Sequence, residues 1–153
     1  KKYFKNYIIF LLMGQKHSYI KKVNFEDIKH IIKNSNKYIL INTLKIDDQD
    51  CLISGTIDVN KEEGVINNCL KHKKNVKIIL YGKNSNEVSL FKKYEQLVNL
   101  GFTNVYLYPG GLFEWLCLQD IYGYEEFPTT TKELDILKFK PDSGFENLLL
   151  LEN

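Results

Sequence analysis

The chain is 153 residues long, 44% apolar and 26% charged, and all 21 of its Lys+Arg residues are lysine; arginine and alanine are both absent. That length suits a single domain with a real core, and the composition excludes wholesale disorder. A net charge of +2, with 19 acids set against the lysines, excludes a protein that recognises nucleic acid mainly by neutralising phosphates.

Without guanidinium groups, any mechanism that needs a bidentate fork on phosphate, sulfate or carboxylate is excluded as well. The abundance of Lys, Asn, Ile and Tyr gives the missing arginine a simpler origin in AT-rich codon usage.

Residues 1–12 place lysines ahead of an apolar run, 7–13, that is too short to span a bilayer. The run has the form of a signal h-region, but no small-x-small cleavage site follows it. Residues 1–13 are therefore set apart from the domain proper, expected over 14–126, and from a tail, 127–153, expected to pack back on it. Met13-Gly14-Gln15-Lys16-His17-Ser18 matches the N-myristoylation pattern, with Gly14 as acceptor if translation begins at Met13. One acyl chain binds membranes marginally, and Lys16, Lys21 and Lys22 would supply a second, electrostatic contact with the inner leaflet.

From Asn24 the pattern is helical: Asn24 is placed to cap, Asp27 follows three residues on, and Phe25, Ile28, Ile31 and Ile32 form one apolar face. A strand is expected at 38–42 and a further short strand near 56–59. A helix follows at 62–71, with Val65, Ile66, Cys69 and Leu70 on one side. The run 76–81 is almost continuously apolar and β-branched, which marks a central strand covered on both faces. It stops at Gly82. The loop Gly82-Lys83-Asn84-Ser85-Asn86-Glu87 leads into an amphipathic helix, 88–100, that Gly101 should end. A strand at 104–108, a Pro109-Gly110-Gly111 turn and a helix at 112–122 complete the series. Alternating strands and helices predict an α/β domain with a mainly parallel sheet, whose sites form beyond the carboxyl ends of the strands. In the tail, Thr130 and Glu133 have capping-box spacing for a short helix through Phe139, and 148–151 are four consecutive leucines.

Cys51, Cys69 and Cys117 are odd in number and far apart, and His17, His30 and His72 are equally scattered. Neither a disulfide framework nor a metal site is expected, and no cofactor is implied. A reducing, cytoplasmic setting fits this usage. Cys51, Cys69 and Cys117 each read best as small buried hydrophobes. For Cys51, beside Asp50 in a polar stretch, exposure is the alternative reading.

Leu97-x-x-Leu100-Gly101-Phe102-x-Asn104-Val105-x-x-Tyr108-x-Gly110-Gly111-x-x-x-Trp115 closely resembles the carboxyl half of a rhodanese-like domain, and the resemblance extends over about residues 18–123. It implies a five-stranded, mainly parallel sheet flanked by helices on both faces. In rhodanese-like sulfurtransferases the strand equivalent to 76–81 is followed by a nucleophilic cysteine, which takes up sulfane sulfur as a persulfide and passes it to a thiophilic acceptor. Here that position is Gly82. The related cell-cycle phosphatases carry cysteine and arginine at the two ends of this loop, and here the far end is Glu87. Asn42 and Leu44 stand where the family has Asp-x-Arg, and Leu52 stands where it has His. Glycine supplies no thiolate, and Ser85 has no adjacent base in the loop. The expectation is a catalytically silent member that works through protein contacts, with a protein partner of unspecified identity. The competing expectation is a sulfurtransferase using a relocated thiol, Cys51 foremost, or one supplied by a partner. A weak site for a small anion or acidic peptide at the loop is a further expectation, helped by Lys83 and opposed by Glu87. Lys71, His72, Lys73, Lys74 and Lys77 form the densest basic cluster and read as a solvated surface.

Overall fold

The computed structural model describes residues 19–145. Gly14, Lys16, His17 and the 148–151 leucine run lie outside the described residues. Four strands form one sheet, β1 (Lys21–Lys22), β2 (Tyr38–Asn42), β3 (Lys77–Tyr81) and β4 (Val105–Tyr108), in the order β1-β4-β3-β2. Every pairing is parallel. Parallel neighbours need crossovers, and three helices provide them, α1 (Phe25–Lys33), α2 (Val59–His72) and α3 (Val88–Asn99), while α4 (Gly111–Tyr122) follows the last strand.

The sheet separates two cores by simple alternation. Leu40, Ile79, Tyr81 and Tyr108 face one way, against Ile28 and Ile31 of α1 and Leu112, Trp115 and Leu116 of α4. Ile39, Ile41, Ile78, Leu80, Val105 and Leu107 face the other way, against Ile66 and Cys69 of α2 and Leu90 and Leu97 of α3. Each side chain buried this way contributes about 1.5–3 kcal/mol, so β3, with residues 78–81 all at most 1% exposed, is the centre of the molecule.

Local chemistry sets the helix ends. Asn24 accepts the Asp27 N–H while Asp27 accepts the Asn24 N–H, a complete capping box opening α1. Gly101, at φ +100°, turns the chain after α3 where a side chain would be strained.

Two expectations are corrected. The expected fifth strand is reduced to a single parallel bridge, Leu40↔Thr56, on the outer edge of β2. Asp58 accepts the Asn60 N–H at 2.7 Å and starts α2 at Val59, so the chain turns helical before a strand can extend. The capping box at Thr130 and Glu133 does not form either. The Thr130 hydroxyl accepts the Leu52 N–H at 3.0 Å, and only a short 3₁₀ turn, Ile136–Phe139, appears later.

Candidate functional site

β2 and β3 end in register, with Asn42 opposite Tyr81, and Tyr81 is also opposite Tyr108 of β4. Three strand ends therefore share one rim, and the 82–87 loop leaves from its middle. Tyr81 anchors the rim from below: its hydroxyl accepts the Ile53 N–H at 3.2 Å and lies 2.8 Å from Thr56 Oγ1, which in turn donates to Ile53 O at 2.6 Å. Burial pushes the Tyr81 phenol well above its ordinary value, so it stays a neutral donor. Burial first, and then the Glu114 carboxylate, raise Tyr108 in the same direction.

The loop is pressed against the start of α4. Leu112 N–H donates to Gly82 O at 3.0 Å and Phe113 N–H to Lys83 O at 2.9 Å. Gly111, at φ +63°, makes this approach possible, since a Cβ there would stand 2.6 Å from Gly82 O. Because a trans peptide points its N–H opposite its C=O, the N–H groups of Lys83 and Asn84 face away from α4.

On that opposite side the decisive residue is Glu87. A Cβ built on Gly82 would lie 2.7 Å from Glu87 Cγ, 2.9 Å from Glu87 Cβ and 3.1 Å from Thr43 Oγ1. Gly82 is not among the positive-φ glycines, so its backbone admits other residues and the obstacle is space. Ser89 Oγ donates to Glu87 Oε1 at 3.0 Å and also lies 3.0 Å from Thr43 Oγ1, so the Ser89 hydroxyl holds the carboxylate directly.

Leu44, Lys83, Asn84, Asn86 and Glu87 line one cleft of about 450 Å³. Asn42 does not line it. Its buried amide exchanges hydrogen bonds with Gln49 at 3.1 and 2.8 Å and accepts the Leu44 N–H, so it shapes the 43–49 turn. Leu52 is buried and paired with Thr130, Gly82 lies beneath Glu87, and Ser85 is exposed outside the lining. Sequence reasoning missed Lys45, Asp48, Val88, Lys140, Asp142 and Gly144, which complete the cleft. The last three follow the 3₁₀ turn of the tail, and nothing in their local pattern ties them to a loop more than fifty residues earlier. The charges of the lining balance, with Lys45, Lys83 and Lys140 against Asp48, Glu87 and Asp142.

Cys51 is buried, as the small-hydrophobe reading expects: it is 2% exposed, and its thiol donates to Thr131 O at 3.4 Å. Burial raises its pKa, so it is a protonated thiol at neutral pH. Cys69 is buried and Cys117 is half-buried, with its thiol likewise raised by burial. Among the described residues no cluster of His, Cys, Asp and Glu could hold a metal ion, and no helix is long and apolar enough to cross a membrane.

A family model described as the rhodanese-like domain matches residues 24–117. The chain belongs to the rhodanese-like domain family. Solved structures agree on the fold of this rhodanese-like domain. The BH2092 protein of Bacillus halodurans is 16% identical, with 96% of this chain and 97% of that one covered at a TM-score of 0.59. The Alr3790 protein of Anabaena sp. is 17% identical, covering 76% of this chain and 97% of that one at 0.52. A thiosulfate sulfurtransferase of Pseudomonas aeruginosa is 16% identical, covering 70% of this chain and 20% of that larger chain at 0.52. No curated protein matches the sequence. In this rhodanese-like domain the position after β3 is a glycine roofed by the Glu87 side-chain stem.

Proposed function

We propose that this rhodanese-like domain is a non-catalytic binding module that acts through protein contacts at the cleft above residues 82–87. The pair Gly82 and Glu87 carries the proposal: the first offers no nucleophile, and the second fills the space directly in front of it. A thiosulfate or persulfide approaching that point would find the space taken by the Glu87 methylenes, and the negative charge of the same side chain would repel it. The balanced charge of the lining gives a small anion no net attraction, whereas a polypeptide can pair with lysines and acids together. Recruitment to a membrane by acylation at Gly14 is part of the same proposal. Among the basic residues assigned to it, Lys22 is exposed on β1, while Lys21 reaches Asn104 Oδ1 at 3.5 Å and stacks over Tyr106. An intact mass with Gly14 at an acylated amino terminus is the expected result, and an unmodified terminus upstream of Met13 would end that part.

A sulfurtransferase with a relocated thiol is the competing reading, and Cys51 would have to leave its buried bond to Thr131 to serve it. Thiosulfate-to-cyanide sulfur transfer tests the two directly. The expected result is turnover no greater than a protein-free blank; turnover that disappears in Cys51→Ser would replace the binding module with an enzyme.

A further inference from the structure

Residues 127–144 lie beyond the segment that matches the family, 24–117, yet they are built into the domain at both ends. At the first end Thr130 N–H donates to Leu52 O at 2.8 Å, Ser54 N–H donates to Pro128 O at 3.1 Å, and Ile53 and Thr129 form an antiparallel bridge. Trp115 Nε1 also donates to Pro128 O, at 3.2 Å. At the second end Phe139 is 1% exposed within the core that holds Trp115 and Tyr81, and Lys140, Asp142 and Gly144 then supply one wall of the cleft.

One side chain joins that second end to the loop. Asn84 is 7% exposed; its Nδ2 donates to Phe139 O at 2.9 Å while its Oδ1 accepts the Asn86 N–H at 3.0 Å. The oxygen of a single amide thus shapes the loop and its nitrogen holds the tail. A buried amide with both functions used is costly to break, because opening either bond leaves a desolvated polar atom. Lys83 strengthens the same junction, its Nζ standing 5.8 Å from the centre of the Phe139 ring.

We propose that residues 127–144 are a strap that completes the cleft, and that Asn84 is the positioning residue latching strap and loop into one cooperative unit. Lifting the strap removes a wall of the cleft and frees the loop, so the two states of the strap are an assembled and a dismantled binding site. This device is independent of whether the cleft binds a protein or performs chemistry.

Amide hydrogen exchange on the full chain tests it. Asn84→Asp keeps the acceptor for Asn86 N–H and removes the donor to Phe139 O. It should raise exchange about fivefold or more at Lys138 and Lys140, and also at the distant Thr130 amide, with α2 unchanged. Thr130→Val removes the hydroxyl that accepts the Leu52 N–H and so loosens the strap at its other end, and should raise exchange at the Glu87 amide of the loop. An unchanged Thr130 amide in the first variant, an unchanged Glu87 amide in the second, or an equal rise throughout α2 would overturn the latch.

Discussion

The two sides of the 82–87 loop are built differently. Towards α4 the loop is held backbone to backbone, by the Leu112 and Phe113 N–H groups and by a glycine that allows near-contact. Towards the cleft it is governed by side chains, chiefly Glu87 with Ser89 and Thr43. The first side fixes the frame of a rhodanese-like domain, and the second decides what that frame can do. Substitutions at residues 82 and 87 probe the cleft side of the loop, and a substitution at Gly111 probes the α4 side.

The largest effect should come from the frame. Gly111→Ala adds a Cβ against Gly82 O at φ +63°, and should cost about 3 kcal/mol, from left-handed strain plus overpacking; urea denaturation measures it. A cost below that of a surface substitution would mean that the close approach does not hold the frame.

Next is the pair on the other side. Gly82→Cys forces its Cβ against Glu87 and should destabilise by about 1–3 kcal/mol. Glu87→Ala removes the Cγ contact and keeps the Cβ one, so it should recover part of that loss in the double variant, a coupling of about 1 kcal/mol. Additive losses in the cycle would separate the two residues.

Tyr81→Phe removes the hydroxyl that accepts from Ile53 N–H, leaving a buried donor unpaired for about 1–2 kcal/mol by the same denaturation. The effect should fall on the turn below the rim and leave the loop amides unchanged in exchange.

The smallest effect should come from the strap's ion pair between Lys138 and Glu133. The hydrogen bond from Lys138 lowers Glu133, so that contribution is present above the unfolded carboxylate value and is lost as pH falls through the lowered folded one. Glu133 in turn raises Lys138, whose contribution is present below the unfolded lysine value and is lost as pH rises through the raised one. Lys138→Met should thus cost under about 1 kcal/mol near pH 7 and nothing in strong acid. A difference that persisted in acid would show that the lysine acts through its stacking on Phe139 instead.

The contrast between the two sides also explains what could be read from the sequence. Strands β2, β3 and β4 and all four helices were legible because burial patterns and caps such as Asn24 are local signals. The substitutions at Gly82 and Glu87 were legible as residue types, and so was their conflict with an anion. That the Glu87 side chain fills the space in front of Gly82 was not, because it depends on the loop folding residue 87 back over residue 82, where the Ser89 hydroxyl bonds its carboxylate. Thr130 misled for the same reason: its hydroxyl had a local use as a cap, but the Leu52 N–H, 78 residues away in sequence, claimed it. Cys51 is buried although its sequence neighbours are polar, and Thr131 of the strap accepts its thiol hydrogen.

Persulfide mapping after incubation with thiosulfate tests the central claim most directly. Mass analysis of the alkylated full chain should show no sulfur adduct on Cys51, Cys69 or Cys117. An adduct on any of the three that is discharged by cyanide would contradict a non-catalytic domain.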